Sequence, residues 1–281
     1  MSRTRPAFVV ALALLSVAPA LRGQQPLPLP PAPASVTLSP EEMDVFLRTA
    51  KITKKANINK GVTDTIRVTL SDGRITHDAQ IQDVDIEKTV FEAGKASETN
   101  FKDTYRYNIG GYQLARLLGM KNVPMSVLRR VDTKDAAVTW WIDDVQFDEQ
   151  GRMKQENRQG PNPERTSKQI ANRLVFDELI QNRDRNTGNL LWTKDWTLWL
   201  IDHTRAFRLG RELMKPDLMT RCDRALLQAL RGLTFEGLNK AMGDVMSKDE
   251  MNAVLFRRDL IVKHFDDRVA RLGEAVVLFT M

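Results

Sequence analysis

The segment NRDRNTGNLLWTKDWTLWLIDHTRAFR, residues 182–208, constrains this chain more than any other part of it. It reads as a polar loop over 182–189, an apolar strand over 190–192, a tight turn at Lys194-Asp195 and a second apolar strand over 196–201. A β-turn-β unit this short returns the chain to its starting end, so Asp184, Asn189 and Asp202 are expected to converge on one sheet edge. Asn189 and Asp202 offer oxygen donors of the type Mg2+ takes, with waters and phosphate oxygens completing the shell. Asp184 can accept a hydroxyl proton or orient a nucleophile. Phosphoryl transfer requires these parts, because catalysis there is mostly positioning and charge neutralisation. A plainer reading stands beside it: Asp and Asn are common turn residues, so 182–189 also fits an ordinary polar loop.

The rest of the chain supplies the frame. With 281 residues, 42% of them apolar and 28% charged, it can bury one large core or two adjacent lobes. Ser39 and Glu42 form a capping box ahead of Val45, Phe46 and Ala50, which predicts a helix starting at Ser39. Alternation over 65–70, a turn at Ser71-Asp72-Gly73 and a return over 74–82 predict a β-hairpin. A helix is expected over 103–118, ended by Gly119, then strands over 123–131 and 136–142 leading to Asp143-Asp144. Residues 146–166 are polar and rich in turn formers, and read as a loop or linker. A second helix is expected over 167–181, its buried stripe being Ile170, Leu174, Val175, Leu179 and Ile180. Beyond 217 the pattern is helical, over 223–230, 234–246 and a long stretch opened by the capping box Ser247 and Glu250.

The N-terminus follows a different logic. Arg3 and Arg5 precede an apolar run over 7–20, and Ala18 and Ala20 offer a cleavage site. This run is shorter than the about 20 residues a membrane span needs, so 1–23 reads as a cleavable signal peptide, with an uncleaved N-terminal anchor as the alternative. The mature chain then has no membrane span and is exported, to a periplasm, a secretory lumen or the outside. Residues 24–38 are a proline-rich tether unable to form a helix or a paired strand. Cleavage removes Arg3, Arg5 and Arg22, lowering the formal charge from +6 to +3. That mild excess, with no basic stripe interleaved with aromatics, argues against a nucleic-acid partner. The single cysteine, Cys222, excludes an internal disulfide framework and reads as a small buried hydrophobe. The histidines His77, His203 and His264 are too dispersed for a short metal motif.

The pattern N-x-D-R-x-x-x-x-N, followed by strand, turn, strand and I-D-H, resembles the catalytic and metal-binding segments of atypical kinases. That branch includes the phosphoinositide 3-/4-kinases, the HipA-like kinases and the secretory-pathway kinases. The resemblance covers about residues 60–210 and is strongest over 170–208. It implies an α+β, bilobal protein-kinase-like fold, with a small antiparallel-sheet lobe over 39–145 and a mainly helical lobe over 146–281. It also implies Asp184 as catalytic base, Asn189 and Asp202 as Mg2+ ligands, and Arg185 as a charge or loop-orienting group. The cofactors implied are ATP and Mg2+.

One departure stands out. The family's third small-lobe strand carries a phosphate-gripping lysine that pairs with a glutamate on the next helix. The corresponding positions here are Gln82 and Asn108. Two amides can hydrogen-bond each other without desolvating a charge, so the paired change is coherent, but the usual cation is missing. Lys88 and Lys95 are nearby replacements. Ile142 lies where the hinge would border an adenine, with Trp140 or Trp141 beside it. Gly61 is a weak phosphate-loop signal, better read as a loop glycine. His203 reads as a structural histidine, while Arg205 and Arg208 are either anion-binding groups or solvated charges.

Three functions fit these observations. The first is an exported phosphotransferase that moves the ATP γ-phosphate to a hydroxyl of a protein, glycan or lipid head group. The second is a pseudokinase, a nucleotide-binding or interaction module without phosphotransfer, favoured by Gln82 and Asn108. The third is another phosphate-dependent transfer on the same scaffold.

Overall fold

The computed structural model describes residues 38–57, 66–93 and 96–281, with backbone alone for 91–93 and 96–99. The expected signal peptide, the tether up to residue 37, Gly61 and Lys95 fall outside the described residues and side chains.

Helix α1 (Pro40–Thr49) starts where the capping box places it. The Ser39 hydroxyl accepts the Glu42 N–H at 3.2 Å, and the Glu42 carboxylate accepts the Ser39 N–H at 2.9 Å. Strands β1 (Lys51–Asn57), β2 (Ile66–Ser71) and β3 (Thr76–Gln82) follow. The β2–β3 turn is built by Asp72, whose carboxylate accepts the N–H groups of Arg74 and Ile75, and by Gly73 at φ +89°. Strands β4 (Asp85–Ala93) and β5 (Ala96–Thr104) form a separate antiparallel hairpin, after which come α2 (Arg106–Leu117), β6 (Ser126–Val131) and β7 (Lys134–Trp140). The main sheet is antiparallel in the order β1-β2-β3-β7-β6. Its register gives the two faces different chemistry. Val68, Ile81, Val138 and Val127 share one face, on which Phe46 of α1 meets Trp140 edge-on. Arg67, Gln80, Gln82 and Thr139 share the other, which faces Asn108 of α2.

Residues 141–144 carry the chain into the second lobe. There β8 (Val145–Asp148), α3 (Glu149–Met153), α4 (Pro163–Leu179), β9 (Leu190–Thr193) and β10 (Leu198–Leu200) form a unit whose strands order as β10-β9-β8. The remainder is β11 (Cys222–Asp223), α5 (Arg224–Gly232), α6 (Phe235–Met242), α7 (Lys248–Leu272), α8 (Glu274–Val277) and β12 (Leu278–Phe279). Ser247 and Glu250 cap α7 reciprocally, as their spacing predicts.

Several expectations need correction. Residues 146–166 are not simply a loop: Phe147 pairs with Trp192 and Asp148 with Leu191, and the Asp148 carboxylate then caps α3. Helix α4 begins earlier than Ser167, because Asn162 caps it and Pro163 occupies its first turn. Helix α2 begins after Asp103, since Asp103 and Thr104 are still paired with Ile86 and Asp85 in the β4–β5 hairpin.

Two buried side chains lock the segment after Asp202 onto the helices. Arg257 of α7, fully buried, donates to the carbonyls of Leu179, Arg208 and Gly210. Burial pushes its guanidinium down to about 10, against the pull of Glu212 and Glu178. Glu178 of α4 accepts the N–H groups of Met214 and Lys215 at 2.6 and 2.8 Å.

Helix α2 approaches the second lobe closely because it has no side chain at the contact. A Cβ on Gly111 would stand 3.1 Å from the His203 ring, which Phe176 holds edge-on from the other side. Gly111→Ala is therefore expected to destabilise the fold by about 1–2 kcal/mol, overpacking outweighing the helix-propensity gain of up to ~1 kcal/mol. Gly232→Ala, with open space around its Cβ, should be neutral or stabilising. Urea unfolding midpoints of the two variants measure the contrast.

Candidate active site

The loop between α4 and β9 is shaped by Arg185. Its Nε–H donates to Asp177 Oδ1 at 3.0 Å, and its Nη1 donates to the carbonyls of Asn189 and Ile201. Both charged side chains of the pair are buried, at 5% and 6% exposure, and Asp177 takes a second cation from Arg173 at 3.4 Å. Arg185 thus fastens the loop to α4 and to the end of β10. The β9–β10 register agrees: Leu190 faces Leu200, so Asn189 faces Ile201, whose N–H donates to the Asn189 carbonyl at 3.1 Å. Asp202 follows directly.

Asp202 adopts a left-handed backbone at φ +55°, a conformation Asp tolerates better than most residues. Its carboxyl is raised above the ordinary aspartate range, first by burial and then by the negative charge of Asp103, against hydrogen bonds from Thr204 and the charge of Arg185. Asp103, at the end of β5, is 3% exposed, and its Oδ1 has no hydrogen-bond partner among the described residues. Its Oδ2 accepts from Arg205 Nε at 2.8 Å, and Arg205 Nη1 lies 3.4 Å from Asp184 Oδ2. Asp184 itself is 55% exposed, open to an acceptor from solvent. Asp103, Asp184 and Asp202 all act electrostatically on Arg205.

Beside the Asp103–Arg205 pair, the small lobe also meets this cluster through neutral groups. Asn108 Nδ2 donates to Gln82 Oε1 at 2.6 Å, and Asn108 Oδ1 accepts the His203 N–H at 2.8 Å. Gln82 and Asn108 are both buried. An amide suits this place because it donates and accepts at once; an ionised glutamate could only accept. Further ties close the lobes on each other: Thr104 N–H donates to the Thr204 carbonyl, Leu200 N–H to the Asn122 carbonyl, and Asn122 Nδ2 to the Leu198 carbonyl.

The other sequence candidates are more dispersed. Lys88 is exposed on β4, opposite Phe101 in register. Ile142 is buried in the 141–144 connection. Trp140 stacks on His77 at 3.7 Å on the α1 face, whereas Trp141 lies under the Arg67 guanidinium at 4.3 Å. His203 is fully enclosed and held neutral, burial and then Arg185 pushing its pKa well down. The Cys222 thiol is pushed up to about 12 by burial and by Asp223, which leaves it inert. Asp103 and the ties at Asn122 are the groups that sequence reasoning missed, since neither lies in a recognisable motif.

Asp202 and Asn189 carry oxygen donors of the type a hard divalent cation takes. Among the described residues no group of three or more His, Cys, Asp or Glu forms a cage for a metal. The raised carboxyl of Asp202 and the orphan oxygen of Asp103 both mark excess negative charge that a cation would relieve. Gln80, Asn108, Thr139, Asp202 and His203, with their neighbours, line one small pocket of about 10 Å3.

No family model and no curated protein matches the sequence. Solved structures do match the fold. The Golgi casein kinase with Mn/ADP bound is 14% identical, with a TM-score of 0.62 over 85% of this chain and 78% of that one. The structure of hydra Fam20 with sugar is 13% identical, with a TM-score of 0.65 over 85% of this chain and 92% of that one. The Helicobacter pylori proinflammatory kinase CtkA is 12% identical, with a TM-score of 0.53 over 81% and 98%. At these identities the likeness establishes the fold. This chain has the atypical protein-kinase-like fold, bilobal and α+β.

Removing Arg185 leaves the buried Asp177 with only the more distant Arg173. Arg185→Met is expected to cost about 3 kcal/mol of stability. In native-state hydrogen exchange, amide protection at Ile201, whose N–H pairs with Asn189, should fall more than protection in α7.

Proposed function

We propose that this protein is an exported kinase-like phosphotransferase that uses ATP and Mg2+ to phosphorylate a hydroxyl. The observation that supports this reading is the backbone pairing of Asn189 with Ile201, the residue directly before Asp202, whose carboxyl is raised by its surroundings. The fold likeness to a Mn/ADP-bound kinase supports a nucleotide with a divalent metal.

When bound, Mg2+ and ATP supply the phosphoryl group and neutralise its charge. The chain's own residues do the remaining work. Asn189 and Asp202 would hold the metal. Asp184, exposed at the mouth of the site, orients the acceptor hydroxyl and takes its proton. Arg185 keeps Asp184 and Asn189 in one loop conformation. Gln82 and Asn108 fix the lobes relative to Asp202 rather than gripping phosphate. The acceptor belongs to the protein, glycan or lipid head-group class. The signal-peptide pattern directs the chain out of the cytoplasm, and a secretory lumen supplies the ATP that a periplasm largely lacks.

A second reading, a pseudokinase, is favoured by the neutral Gln82–Asn108 pair. The two readings part on metal and turnover. For the phosphotransferase, ATP with Mg2+ at about a hundred times Kd should raise Tm by roughly 5–10 °C. Asp202→Ala should abolish that rise, and Asp184→Asn should retain it while lowering phosphate transfer by at least ~100-fold. A rise independent of metal, with no transfer, would establish the pseudokinase instead.

A further inference from the structure

The cleft needs a cation to meet a phosphoryl group, and the small-lobe strand that usually supplies one carries Gln82. Resting on the phosphotransferase reading, we propose that Arg205, held by Asp103, is the cation that meets the transferred phosphoryl group beside Asp184.

The geometry gives Arg205 an aimed position. Its Nε–H donates to Asp103 Oδ2 at 2.8 Å, and Asp103 is buried. Its Nη1 is 3.4 Å from the carboxylate of Asp184, and its Nη2 has no hydrogen-bond partner among the described residues. The guanidinium also lies 5.4 Å from the centroid of Phe101, a buried ring that backs its flat face. The backbone is fixed on both sides: Thr104 N–H donates to the Thr204 carbonyl, and Arg208 Nε–H to the Arg205 carbonyl. With 29% of its side chain exposed, Arg205 is reachable from solvent. A guanidinium on one buried carboxylate with a free amine edge is preorganised for a phosphate oxygen.

Its neighbour fixes which phosphate it meets. A hydroxyl that gives its proton to Asp184 brings the accepted phosphoryl group within reach of a guanidinium already touching that carboxylate. The acceptor O–P bond forms as the P–O bond to the nucleoside diphosphate breaks, and the hydroxyl proton passes to Asp184. Arg205 stays protonated throughout and exchanges no atoms. Asp103 is a positioning residue. It keeps Arg205 from collapsing fully onto Asp184, which would mask the base.

The test compares ADP with a non-hydrolysable β,γ-bridged ATP analogue, each with Mn2+, by calorimetry on the mature chain. Wild type is expected to prefer the ATP analogue. Arg205→Met should remove about tenfold of that preference and leave ADP affinity unchanged. Asp103→Asn should remove part of it, because Arg205 loses its anchor. Arg205→Lys should retain part, since lysine cannot hold Asp103 through Nε and reach a phosphate together. If Arg205→Met fails to fold, the lysine variant carries the test, and an unchanged ATP-over-ADP ratio in it overturns the proposal. Equal losses for both nucleotides would make Arg205 an interlobe strut and also overturn it. Wild type that binds both nucleotides equally overturns this inference alone, whereas wild type that binds neither overturns the phosphotransferase reading with it.

Discussion

The site depends on one buried cation. Arg185 sits in the protein interior with its charge met by Asp177 and its Nη1 divided between two carbonyls, those of Asn189 and Ile201. Burying a charge is unfavourable unless it is paired and hydrogen-bonded, so an arginine in this position admits few loop conformations. The one observed joins α4, the 182–189 loop and the exit of β10. Every oxygen proposed to hold the metal hangs from those three pieces. The neighbouring helix contributes in the same manner: Glu178 and Asp177, adjacent on α4, hold respectively the 214–215 backbone and Arg185.

Neutral hydrogen bonds join the lobes beside Asp202, alongside the ion pairs Asp103–Arg205 and Lys102–Glu250. Asn108 bridges Gln82 to the backbone of His203, while Asn122 and Thr104 pair with β10 and with Thr204. Breaking a neutral hydrogen bond that water can replace costs about 1 kcal/mol, much less than stranding a buried charge. A lysine–glutamate pair in place of Gln82 and Asn108 would bury two charges with no phosphate to meet them. The amide pair makes the same contact without burying a charge.

What could be read in the sequence was local. The capping boxes at Ser39 and Ser247, the Asp72-Gly73 turn and the 182–208 hairpin all act over a few residues, and each carries a recognisable side-chain signature. What could not be read depends on distant partners. The β4–β5 hairpin is studded with charges and has no clean apolar alternation, so its pairing leaves no periodic signal. Asp103 gains its meaning only from Arg205, far along the chain. Strand β8 looked like linker because only Val145 and Phe147 are apolar within it, and its pairing partner lies beyond a whole helix. The Gln82–Asn108 contact lies between these cases. The amide pairing was inferable from chemistry, but the third partner, the His203 N–H, was not.

On the proposed phosphotransferase reading, the charges of the cleft favour nucleotide and metal arriving together. Asp177 is neutralised by Arg185 and Arg173 and leaves the account. Asp103, Asp184 and Asp202 then face Arg205, so carboxylates outnumber guanidinium. Bare ATP, itself polyanionic, would be repelled by that excess, whereas a divalent cation alone finds only Asp202 and Asn189 to hold it. Each ligand supplies what the other lacks: the metal cancels the surplus charge at Asp202, and the phosphates complete a shell that two protein donors cannot fill. On the proposed phosphotransferase reading, metal and nucleotide would bind as partners, through the charges around Asp202.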